Sequence, residues 1–154
     1  MNEEQLTMKE KEEKEIKPLL KRVSHNYLPV SDLQKALAWY MEYLGLKHIS
    51  DNRTDRNDGG ILILGNGQWL FLLESKSHKN ANFITDDWEG DNYEMFSLTF
   101  ETDDIITLHA SLRKSGTHVE PIVDLGGCGL QFKFKDPDGN KFNVWQDPDK
   151  GSAQ

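Results

Sequence analysis

Apolar residues recur three or four positions apart from Leu33 to Leu44 (Leu33, Ala36, Leu37, Tyr40, Met41, Leu44), the spacing of one helix face. Ser31-Asp32 offers an N-cap and Gly45 a C-cap, so the pattern predicts a helix bounded at both ends. On either side the pattern changes to alternation. Val23 to Val30 reads as a strand, as do the stretches around Lys47 to Asp51, Gly60 to Leu64 and Gln68 to Glu74. The polar loop Asn52 to Asp58 and the turn Gly65-Asn66-Gly67 part them, and a long polar loop is expected from Ser75 to Asn92.

The same order then returns. Met95 to Glu101 reads as a strand, Asp103 as the cap of a helix from Asp104 to Lys114 ended by Gly116, and strands are expected near His118 to Val123, Leu130 to Lys135 and Lys141 to Gln146. A constant offset of 72 carries Asp32 to Asp104, Leu33 to Ile105 and Gly67 to Gly139. A unit of strand, helix and three strands cannot bury a sheet face alone, so two must pair. The fold class is α+β, with two βαβββ modules at about residues 22–75 and 93–147.

Composition narrows what such a fold does. The 154 residues suit one domain, and 36% apolar residues suffice for a core. With 26 acids against 18 bases the formal net charge is -8, which excludes a nucleic-acid binder, since displacing counterions from phosphates needs a basic face. No run approaches the roughly 20 apolar residues of a membrane span, and no apolar block of a secretory signal follows the start, so a cytoplasmic protein is expected. Residues 1–21 read as a charged flexible tail and 148–154 as a loose end. The single Cys128, inside Gly126-Gly127-Cys128-Gly129, reads as a small residue in a tight loop.

Two motifs carry a resemblance. The stretch from His25-Asn26-Tyr27-Leu28-Pro29-Val30-Ser31-Asp32-Leu33 through Ala36 and Trp39-Tyr40 to Leu44-Gly45-Leu46 resembles the opening of the glyoxalase, bleomycin-resistance and extradiol-dioxygenase superfamily, the vicinal oxygen chelate fold. Asp136-Pro137-Asp138-Gly139-Asn140 resembles that family's turn before the last strand. The resemblance spans about residues 22 to 147 and implies a cup-shaped, eight-stranded mixed sheet around a ligand cavity. It also implies, in metal-using members, ligands on the first and fourth strands of each module.

Carried over residue by residue, those four positions hold His25, Phe71, Ser97 and Asn143, with Met95 replacing Ser97 if the register slips by two. One imidazole, one benzyl, one hydroxyl and one amide make a poor donor set, because zinc and its neighbours want three or four imidazole, thiolate or carboxylate donors. The expectation is therefore no metal cofactor. The alternative is a divalent metal in a relocated site of His25, Glu74 and Glu94, against which alternation counts.

Alternation also selects the lining. Facing the cavity would be His25, Tyr27 and Pro29; Trp69, Phe71 and Leu73; Met95, Ser97 and Thr99; and Lys141, Asn143 and Trp145. The opposite parity (Leu28, Val30, Leu70, Leu72, Leu98, Phe100, Phe142, Val144) is uniformly apolar and should pack under the helices. Aromatics mixed with a few polar groups are how small-molecule pockets are built. The leading expectation is a metal-free protein that sequesters a small molecule, cationic or aromatic in view of the acidic charge and the rings, and that forms a homodimer. The alternative is a glyoxalase-like lyase or isomerase, or a dioxygenase, with His25 as the best catalytic candidate.

Overall fold

The computed structural model describes residues 16–49, 59–77 and 79–149. The Asn52 to Asp58 loop, His78, most of the charged tail and nearly all of the C-terminal end lie outside the described residues. In chain order the elements are β1 (His25–Val30), α1 (Leu33–Leu44), β2 (Lys47–Ile49), β3 (Gly59–Ile63), β4 (Trp69–Glu74), β5 (Phe83–Thr85), β6 (Tyr93–Met95), β7 (Leu98–Glu101), α2 (Ile105–Lys114), β8 (Val123–Asp124), β9 (Leu130–Lys135) and β10 (Lys141–Gln146). The eight strands of the repeat lie in two four-stranded sheets of matching order, β1-β4-β3-β2 and β7-β10-β9-β8. In each the first and fourth strands pair in parallel while the rest is antiparallel.

Local chemistry sets the helix ends. Asp32 accepts a hydrogen bond from the Lys35 amide at 3.1 Å, and Gly45, at φ 67°, turns the chain out of α1 in the left-handed region that glycine tolerates. In the second module the cap is Asp104, which accepts from the Thr107 amide at 3.2 Å. This corrects Asp103, and the repeat offset from Asp32 already pointed to Asp104.

Two strand assignments are also corrected. The expected strand Met95 to Glu101 is broken at Phe96-Ser97: Tyr93–Met95 pairs with Phe83–Thr85 as a separate two-stranded ribbon, so the Ser75 to Asn92 segment contains a strand. The expected strand His118 to Val123 shrinks to one bridge, Val119 with Phe134, and the short β8. Pro121 lies between them, and a residue without an amide hydrogen cannot continue a ladder.

One core serves both modules. From α1 come Leu33, Ala36, Leu37, Trp39 and Tyr40; the sheets add Leu28, Val30, Leu70, Leu72, Phe132, Phe134, Phe142 and Val144, all buried. Trp39 lies 6.4 Å from Phe134 and Tyr40 6.4 Å from Phe142, centroid to centroid, so the first helix packs on the second module's sheet. Glycine at position 60 lets α1 approach β3, because a Cβ there would stand 2.9 Å from a Leu37 methyl. Polar bonds cross the same seam. The Tyr40 hydroxyl donates to Asp136 at 2.5 Å, and the Asn140 amide nitrogen donates to the Pro29 carbonyl at 2.9 Å. Burial pushes the Asp136 carboxyl above its ordinary range, even though Tyr40, Asn140 and the Asp138 amide all donate to it. Among the described residues no helix is long and apolar enough to cross a membrane.

Candidate ligand-binding site

With Leu28, Val30, Leu70 and Leu72 committed to the core, alternation turns the intervening residues of β1 and β4 to the opposite face. The parallel register sets His25 beside Trp69 and Tyr27 beside Phe71. Tyr27 and Phe71 stack at 5.0 Å and 24°, Trp69 meets Phe71 edge-on at 5.9 Å, and the His25 ring lies 5.4 Å from Tyr27 and 5.5 Å from Phe71. Each such ring pair stabilises the cluster by roughly 0.5 to 1.5 kcal/mol beyond area burial. Phe71 is 9% exposed and Tyr27 57%, so the cluster has a buried floor and an open edge. The His25 Nδ1 bonds to the Ser24 hydroxyl at 2.9 Å and its Nε2 to the Tyr27 hydroxyl at 3.1 Å.

The corresponding face of the second module is polar. Asn143 is flanked by Thr99 on β7 and Lys133 on β9, and Trp145 by Glu101 and Gln131. The Asn143 Nδ2 donates to the Thr99 hydroxyl at 3.3 Å and, at the limit of a bond, to the Gln131 side-chain oxygen at 3.5 Å; its Oδ1 is buried without a partner among the described residues. The Trp145 indole donates to the Cys128 carbonyl at 2.7 Å. Gly129, at φ 92°, allows that approach, since a Cβ there would lie 2.9 Å from the Trp145 Nε1 and would collide with the Gln146 carbonyl oxygen.

Of the nine residues proposed from sequence as ligand contacts, His25, Tyr27, Trp69 and Phe71 stand together, as do Thr99, Asn143 and Trp145. Ser97 is an exposed bend just before β7. Met95 is drawn into the ribbon opposite Phe83, outside the second module's sheet. Lys141 is largely buried, donating to the Glu94 carbonyl at 2.6 Å with its ammonium 4.1 Å from the centre of the Tyr93 ring. Sequence reasoning missed Lys133 and Gln131. The signal was present in Leu130-Gln131-Phe132-Lys133-Phe134-Lys135, a strict alternation whose polar members share the Asn143 face.

The metal positions do not fit a metal. Phe71 uses its ring against Tyr27, and the other three donors are one imidazole, one hydroxyl and one amide. Nor are the members of the relocated trio brought together. Glu74 pairs with Val30 at the far end of the strand from His25, about 16 Å away at 3.3 Å per residue, where it accepts from the Leu33 amide at 3.2 Å. Glu94 is held in the ribbon by Lys135 at 2.7 Å and Asn82 at 3.0 Å, and the Lys135 bond holds its carboxyl below the ordinary range. Among the described residues no three His, Cys, Asp or Glu side chains gather as metal ligands.

Paired βαβββ modules of matching strand order around one core define a fold of the glyoxalase type. The chain belongs to the Glyoxalase/Bleomycin resistance protein/Dioxygenase superfamily, whose family model matches residues 22–144. It is 24% identical over 136 residues to a lactoylglutathione lyase of Escherichia coli O157:H7, covering 84% of this chain and 96% of that protein. Among solved structures it resembles a glyoxylase/bleomycin resistance protein/dioxygenase domain from Frankia sp. EAN1pec, at 26% identity and TM-score 0.62, covering 83% of this chain and 93% of that one. It also shares its fold with TnmS3, an antibiotic binding protein from Streptomyces sp. CB03234, at 22% identity and TM-score 0.61, over 85% and 99% of the two chains.

Proposed function

We propose that this member of the family is a metal-free, cytoplasmic, homodimeric protein that binds and sequesters an aromatic small molecule. The observation that carries the reading is the stack of Phe71 on Tyr27, which puts a ring where the resemblance would require a metal ligand. With Trp69 at its edge and Tyr27 largely exposed, the cluster offers a preformed apolar surface to a flat ligand. The exposed Tyr27 and Leu73 on that face supply apolar area for a second copy to cover. A likeness to an antibiotic binding protein supports binding without turnover, whereas the E. coli relative's lyase activity is the reading to be tested against.

The test is a panel of aromatic compounds added to the chelator-treated protein, read by tryptophan fluorescence and melting temperature. Binding that quenches fluorescence, raises the midpoint and consumes no ligand is expected. Conversion of a ligand to product, or binding that appears only when metal is restored, would overturn it.

A further inference from the structure

The sequence suggested a cationic ligand because the molecule is acidic, but net charge describes the whole surface and not one wall. On the second module's face the exposed acid Glu101 lies opposite Trp145, while three lysines (Lys133, Lys135 and Lys141) project from β9 and β10. Lys135 and Lys141 are engaged with Glu94, through its carboxylate and its carbonyl. Lys133 is half-buried beside Asn143, and its ammonium has no hydrogen-bond or ion-pair partner among the described residues. Next to it Asn143 is 6% exposed, holds its two bonds at 3.3 and 3.5 Å, and leaves Oδ1 without a donor among the described residues. The Asn143 oxygen is the costly group, a buried acceptor without a donor among the described residues, and Lys133, opposite it on the adjacent strand, is a solvated cation committed to no ion pair among them.

Resting on the ligand-binding reading above, we infer that Lys133 and Asn143 form a subsite for an aromatic hydroxy acid. The ligand's carboxylate accepts from the Lys133 ammonium, its hydroxyl donates to Asn143 Oδ1, and its ring lies against Trp145, two residues along the same face. Trp145 is anchored for that role by its bond to the Cys128 carbonyl. Lys133 reads the charge and Asn143 the hydroxyl, so the two residues should discriminate between different analogues.

The full-length protein is titrated by calorimetry with 7-hydroxy-2-naphthoate, whose hydroxyl is too far from its own carboxylate to bond to it, and with 2-naphthoate and 2-naphthol, with melting curves confirming that each variant is folded. The hydroxy acid is expected to bind tightest, and Lys133→Met should weaken both acids about tenfold while leaving 2-naphthol unchanged, the size of one lost hydrogen bond to a charged group. Lys133→Arg should restore most of the loss, and Asn143→Leu should erase the advantage of the hydroxy acid over 2-naphthoate. If 2-naphthol binds as well as the acids, or Lys133→Met weakens all three alike, the subsite is wrong and the binding reading stands. If none of the three binds while another aromatic compound of the panel does, the subsite is wrong and the binding reading stands; if no compound of the panel binds, both fail.

Discussion

The two modules share one strand order and one core, yet their exposed faces differ in kind. On the first, Tyr27, Phe71 and Trp69 form a ring cluster flanked through the β3 register by Ile61 and Ile63; on the second, the residues at the same offsets are Thr99, Asn143 and Lys141. Phe71 and Asn143 occupy equivalent places, 72 residues apart, and both are buried. A benzyl group there is satisfied by its neighbours, whereas an amide there still lacks one. Burial stabilises the first site and leaves the second with an unpartnered acceptor among the described residues.

The comparison is broken most severely by Phe71→Ala. Removing a buried ring that touches Tyr27, Trp69 and His25 should cost about 3 kcal/mol or more of unfolding free energy in denaturant titrations, together with ligand affinity. Tyr40→Phe comes next, because it removes one donor from the buried Asp136 at the seam, and a loss of about 1 to 2 kcal/mol is expected by the same assay. Asn143→Leu should change stability by less than about 1 kcal/mol, in contrast with its equivalent, since an incompletely bonded amide gives way to an apolar group of similar size. Equal losses at Phe71 and Asn143 would show that the two faces do the same work.

Glu94→Gln is the mildest change and is best read against pH. The Glu94 carboxyl is held below its ordinary value of 4.5, chiefly by its bond from Lys135, so its ionised form favours the fold. Its contribution is present above pH 4.5 and is lost as pH falls through the lowered folded value. The midpoint difference between wild type and Glu94→Gln should therefore be constant near neutrality and vanish in acid.

Much of this was legible because periodicity is a strong signal where one face is buried. The helix Leu33–Leu44 and the strands Leu130–Lys135 and Lys141–Gln146 have the bounds their patterns imply. Less legible were features that depend on the path of the chain. Tyr93-Glu94-Met95 carries its apolar residues at odd positions and Leu98–Glu101 at even ones, so the phase of the alternation changes at Met95-Phe96; reading the stretch as one strand passed over that change, and the break took Met95 out of the site. Reading only the first and fourth strands of each module likewise left out Lys133, which β9 sets opposite Asn143.

The central claim is that rings and an amide have replaced a metal centre in this chain. It is tested most directly by elemental analysis of the purified, tag-free protein before and after exposure to manganese, iron, cobalt, nickel and zinc, followed by exhaustive buffer exchange. The account predicts no stoichiometric metal under any of these conditions. One tightly held ion per chain, lost on His25→Ala, would contradict it.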